Sequence, residues 1–268
     1  MITINARTKE RLTKGVRKFQ PILSRAKTAD INESDTVTIV TDMLCEIFGY
    51  DKYENVTSEF AVKKTFCDLA IKLNDKVQFL IECKAIGLDL KDDFIRQATN
   101  YAADYGVDWV VLTNGAEWRI YKISFTKPIE KEMVYAFNII DINTKKQSDL
   151  EMLYYLCVEA FSKASKATLD DLLSQKQIMN RFVLGQIILS DPVIDAIRKR
   201  LRKLCPDIKT SNEEIHDIVI SEIVKREIIE GEDSDDARKK LQKLERALAK
   251  AEEKPVDSNV ESEGGETL

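Results

Sequence analysis

Apolar and polar positions change period several times along the chain, and each change marks an element. Thr8–Lys27 reads as a basic helix with Pro21 as a kink or break. A second helix follows over Asp35–Phe48, where Val37, Ile39, Val40, Met43, Leu44 and Ile47 keep helical spacing; Asn32 or Ser34 can cap it and Gly49 stops it. The pattern then shortens to strands at Val56–Val62, Thr65–Leu73 and Val77–Lys84, the last two joined by a tight Asn74-Asp75 turn. Lys91–Tyr105 returns to a helical period and ends at Gly106. Two more strands, Asp108–Thr113 and Glu117–Ile123, flank the hairpin signal Asn114-Gly115. Beyond them the pattern is helical over about 147–165, 168–190, 191–204, 211–230 and 234–252.

The order helix, three strands, helix, two strands predicts an α/β fold, a sheet flanked by helices, over residues 31–140. Residues 1–30 form a basic N-terminal helical arm, 141–252 an all-α C-terminal region, and 253–268 an acidic tail too polar to fold. In the last helix Ala237, Leu241, Leu244, Leu248 and Ala251 alternate spacings of four and three over barely two heptads. They suit a helix docked on the body, or a seam for a homodimer or another partner.

Composition narrows the chemistry. The 268 residues are 44% hydrophobic and 32% charged, as in a soluble helix-rich protein. Apolar runs such as Trp109–Leu112 are too short for a bilayer, and the opening MITINARTKERLTKG lacks a secretory apolar region, so a cytoplasmic protein without a membrane partner is expected. Five scattered cysteines without a Cys-x-x-Cys argue against disulfides and zinc. One histidine, His216, excludes a His-Glu-x-x-His zinc motif and leaves little for triad chemistry; with no phosphate loop, ATP is not expected as a cofactor. An enzyme of this composition works with carboxylates, lysine and a hard metal ion. The net charge of −5 averages a basic start (eight basic against two acidic residues in 1–30) with an acidic end (six acidic against one basic in 252–268).

Charges intrude into two of the apolar strands. Glu82 and Lys84 are two apart, hence on one face of a strand, and hairpin pairing can carry Asp68 to the same end of the sheet. Burying such charges costs several kcal/mol unless they pair or bind an ion. Mg²⁺ takes one or two carboxylates, waters and phosphate oxygens, and a lysine beside it can stabilise charge on a phosphoryl group. An inward-turned salt bridge would use the same residues.

Asp68…Glu82-Cys83-Lys84 resembles the D-x(n)-(D/E)-x-K signature of restriction-endonuclease-like nucleases, and more closely the N-terminal nuclease domain of type I restriction enzyme R subunits. The resemblance covers roughly residues 30–125. It includes Asn32-Glu33-Ser34-Asp35-Thr36, the run from Ile81 to Tyr121, and Gln97-Ala98-Thr99-Asn100-Tyr101 as a Q-x3-Y motif. It implies a restriction-endonuclease-like mixed sheet and a metal-dependent DNA endonuclease using Mg²⁺ or Mn²⁺. Asp68 and Glu82 would hold the metal, Lys84 would be catalytic, and Gln97 and Tyr101 would face the site. Glu33 would complete it, with Asp35 and Glu46 as neighbouring alternatives. The ATP-driven translocase of those subunits has no counterpart here, and the resemblance stops before the helical region.

Weaker signals concern binding. Lys63 and Lys64 precede the Asp68 strand and could touch a nucleic-acid backbone; Arg198, Lys199 and Arg200 could hold phosphates or face solvent. Trp109 and Trp118 read as core, Cys67 and Cys83 as small buried hydrophobes, and His216 as structural. The rival to a nuclease is a non-catalytic or latent nucleic-acid-binding scaffold subunit of a defence complex, acting through its helical half.

Overall fold

The computed structural model describes residues 2–62, 65–161 and 169–252. Two compact units divide the chain, residues 1–173 and 174–268.

In the first unit, six strands form one mixed sheet in chain order: β1 (Val56–Val62), β2 (Thr65–Leu73), β3 (Lys76–Cys83), β4 (Trp109–Thr113), β5 (Glu117–Ser124) and β6 (Glu130–Asn138). All neighbours are antiparallel except β3 and β4, which run parallel in the register Leu80↔Val110 to Cys83↔Thr113. A parallel pair needs a crossover, supplied by α3 (Ile95–Tyr105). Asn74 and Asp75 both take positive φ between β2 and β3, as a two-residue hairpin requires.

Strand alternation sends side chains to two cores. Phe79, Ile81 and Cys83 of β3, with Trp109 and Val111 of β4, join one core with α1 (Ala6–Thr28) and α2 (Glu33–Glu46). Leu80, Val110 and Leu112 join the other, beneath Ala98, Tyr101 and Ala102 of α3. The segment expected as a basic arm thus supplies core: Leu12, Val16, Phe19, Leu23 and Ala26 are buried at alternating spacings of four and three. α1 runs unbroken through Pro21, capped by Asn5, whose side chain accepts the Thr8 N–H. Packing of Phe19 and Leu23 on either side outweighs the one helical hydrogen bond the proline removes. Of the two expected caps for α2, Asn32 takes the role, accepting the Asp35 N–H.

β6 was not anticipated. Its first four residues are exposed and its apolar alternation begins only at Val134, so pairing with β5 rather than local pattern defines it. The helix expected over 147–165 is shorter: α4 (Gln147–Tyr154) gives way to a 3-10 turn, Val158–Phe161, whose core residues Leu150, Leu153 and Ala160 pack with α1 and the sheet. The expected helix over 168–190 is two, α5 (Leu169–Ile178) and α6 (Arg181–Ile188), because Asn180 caps the second by accepting the Phe182 and Val183 N–H groups.

The second unit holds α6, α7 (Asp191–Leu204), α8 (Asn212–Ile218), a π-helical segment Val219–Ile223, α9 (Arg226–Ile229) and α10 (Glu232–Glu252). Ile194, Ile215 and Val219 form its small core, and buried Gln186 donates to Ser234 Oγ of α10. The expected acidic tail lies outside the described residues. No helix among them is long and apolar enough to cross a membrane.

Candidate active site

The site forms where β2 and β3 separate. β2 pairs with β3 only from Leu69 onward, so Asp68 lies just beyond the ladder. Its Oδ2 accepts the Cys83 N–H at 2.7 Å, closing the end of β3 with a side chain in place of a strand. Glu82, 6% exposed, sits one residue from the end of β3 and pairs in register with Leu112. Lys84 follows the strand and is held by its own backbone, donating to the Thr113 carbonyl at 2.8 Å.

Lys84 Nζ bridges two carboxylates, Glu82 Oε1 at 2.8 Å and Glu33 Oε2 at 3.4 Å. Glu33 is the first residue of α2, so capping by Asn32 fixes where this acid starts. On the opposite side, α3 presents Gln97 and Tyr101, one turn apart and hydrogen-bonded to each other. Glu82, Lys84, Gln97 and Tyr101 line one open cleft of about 610 Å³.

Three carboxylates against one ammonium leave the pocket rich in negative charge. Burial pushes Glu82 up to about 7; the Lys84 hydrogen bond opposes this, and the Asp68 and Glu33 charges reinforce it. Burial also raises Asp68, opposed by the Cys83 N–H and Lys84. Burial alone would lower Lys84, but its bond to Glu82 and the surrounding carboxylates leave it raised, a fixed cation.

The structure therefore gathers Glu33, Asp68, Glu82, Lys84, Gln97 and Tyr101 around one end of the sheet. The alternatives Asp35 and Glu46 are engaged elsewhere: Asp35 Oδ2 accepts from the Asn32 amide and Glu46 pairs with Lys18. Among the described residues no three or more His, Cys, Asp or Glu side chains converge closely enough to hold a metal ion. Lys63 and Lys64 lie outside the described residues. Arg198, Lys199 and Arg200 belong to α7 of the second unit, where Arg198 and Lys199 both pair with Asp195 and Arg200 is exposed. Trp109, Trp118, Cys67 and Cys83 are buried as expected, while His216 keeps 41% of its side chain exposed beside Asp217. Reading the sequence missed Arg96 and Asn100, which also line the cleft. Their signal was available: they flank Gln97 at offsets of one and three on the same helix.

The first unit is thus a mixed α/β domain with acids and a lysine gathered at one end of its sheet. Residues 38–135 match the family described as the N terminus of the type I restriction enzyme R protein. The match starts inside α2, after Glu33, and ends within β6, so it includes Asp68, Glu82, Lys84, Gln97 and Tyr101 and leaves the second unit outside. No curated protein and no solved structure matches the chain.

Proposed function

We propose that the first unit is a divalent-metal-dependent DNA endonuclease, hydrolysing internal phosphodiester bonds in the cleft between β3 and α3. The observation that carries this reading is Lys84, fixed beside Glu82 and Glu33 and opening with Glu82 onto a cleft faced by Gln97 and Tyr101. Asp68 and Glu82 suit a hard divalent cation: burial raises both carboxylates despite the Cys83 N–H and Lys84, so a cation would add to compensation that is only partial. They would hold Mg²⁺ or Mn²⁺, while Glu33 pairs with Lys84 beside them. The chemistry such an ion supplies when bound is activation of water and neutralisation of phosphate charge.

The chain's own residues do the rest. Lys84 places a positive charge where negative charge grows on the phosphate. The mutual hydrogen bond of Gln97 and Tyr101 fixes both side chains, so that they orient the backbone entering the cleft. Supercoiled plasmid incubated with Mg²⁺ tests this reading. Parent protein is expected to nick it, and Lys84→Ala to lose roughly 100-fold or more in rate with an unchanged circular dichroism spectrum. Equal cleavage by the variant would sink the assignment.

A second reading, a latent or non-catalytic nucleic-acid-binding subunit of a larger complex, is favoured by one feature. The Lys84 bridge ties up Glu33 and Glu82 together, so a partner that opened the Glu33 contact would switch the site on. Mass in solution and nicking measured on one sample, with and without added partner, separate the two readings.

A further inference from the structure

The cleft does not end at Tyr101. A second cavity of about 410 Å³ adjoins it, reaching Ile129 and Lys131 at the start of β6, and the two share Asp93, Arg96 and Asn100. Arg96 and Asn100 are thus the common wall of a continuous groove across the outer face of α3. They lie four residues apart, one helical turn, with both side chains exposed.

Arg96 differs from the other cations bordering this groove. Lys84 is paired with Glu82 and Glu33 at the reacting end of the cleft, and Lys131 donates to the Asp92 carbonyl at 2.7 Å. Arg119, close by, pairs with Glu117. Among the described residues nothing pairs with the Arg96 guanidinium or hydrogen-bonds the Asn100 amide. A guanidinium presents a fork of donors matched to two phosphate oxygens, and an amide adds a neutral donor. Asp93, three residues before Arg96, is the opposing charge, whereas Asn100 lies four residues after it. An anion is therefore favoured on the Asn100 side. The Asp92 carboxylate is committed, accepting from Tyr121 Oη at 3.1 Å.

We propose that Arg96 and Asn100 hold the DNA phosphate adjacent to the scissile one, so that the strand crosses α3 from the Glu82–Lys84 pocket toward the β5–β6 turn. This rests on the endonuclease reading and extends it: the substrate is a polymer gripped at two or more phosphates, not a mononucleotide. Phosphate contacts of this kind set position and register without reading sequence.

The test uses the full chain and a short fluorescein-labelled DNA duplex, followed by anisotropy over a salt series with Ca²⁺ replacing Mg²⁺. Arg96→Ala is expected to weaken binding about ten-fold and to reduce the slope of log affinity on log salt by about one, the signature of one lost phosphate contact. Arg96→Lys should recover part of the affinity, and Asp93→Asn should tighten binding by removing a repulsive charge. In turnover the loss for Arg96→Ala should fall chiefly on KM. Unchanged affinity and slope for Arg96→Ala would overturn the proposal, as would unchanged binding by Asp93→Asn together with full rescue failure by lysine. If the parent cleaves DNA while Arg96→Ala binds normally, the subsite fails and the nuclease stands. If the parent binds with the expected Arg96 dependence but never cleaves, the nuclease reading fails and the subsite stands. A parent that binds no DNA overturns both.

Discussion

Gly15 sits where α1 meets α2, and its missing side chain sets how close the two helices come. A Cβ built there would stand 2.8 Å from Ile47 Cγ1 and 3.1 Å from the Glu46 carbonyl oxygen. The second neighbour is backbone and has little room to move. Gly15→Val is therefore expected to cost about 1–3 kcal/mol, read as a lower urea midpoint with an unchanged slope. No periodicity marks this glycine in the sequence, because its requirement comes from the neighbouring helix. Glu82 and Lys84 are the contrary case, since their spacing of two already placed them together. Their partners were less legible. Nothing local to Asp68 announces that its carboxylate accepts the Cys83 N–H, because that bond exists only where β2 has left β3.

At the scale of elements, α1 is secured to the segment after α4 by a bidentate pair. Arg11 Nη1 and Nη2 donate to Glu159 Oε1 and Oε2 at 2.6 and 2.7 Å, and Thr8 Oγ1 adds a bond at 2.9 Å. Burial alone would raise Glu159, but these bonds leave it below its ordinary value of 4.5. A carboxylate depressed by folding contributes stability that is complete above its unfolded pKa and is lost as pH falls through the folded one. Glu159→Gln is therefore expected to lower stability by roughly 1–3 kcal/mol at neutral pH. Thermal melts should show the gap to the parent closing as pH drops below about 4.5, the unfolded value; a gap constant with pH would refute the account. Helix and strand periods were legible for α2 and β1 to β5, where apolar alternation is strong. They failed for β6 and for the breaks at Asn180 and Val219–Ile223, where pairing or capping decides the outcome.

At the scale of the molecule, every residue of the candidate site lies in the first unit, which runs on to residue 173. The sheet does not close its own core: Leu150, Leu153, Tyr154, Leu156, Cys157 and Ala160 complete the face beneath α1 and α2. A fragment of residues 1–173 is expected to unfold in one cooperative transition by circular dichroism. A fragment ending at 140 removes these six side chains, each large apolar one worth roughly 1.5–3 kcal/mol of burial, and should be far less stable. Equal melting of the two fragments would show that the core closes without them.

The sequence by itself determined the α/β class, the hairpins at Asn74-Asp75 and Asn114-Gly115, and the Asp-Glu-Lys set, since period, turn chemistry and charges within apolar strands are local properties. Only the tertiary structure decided that the basic N-terminal segment is core, that Glu33 rather than Asp35 or Glu46 faces Lys84, and that Arg96, without a partner among the described residues, borders a groove. Each depends on which surfaces meet, and packing between distant segments carries no local period by which it could be read.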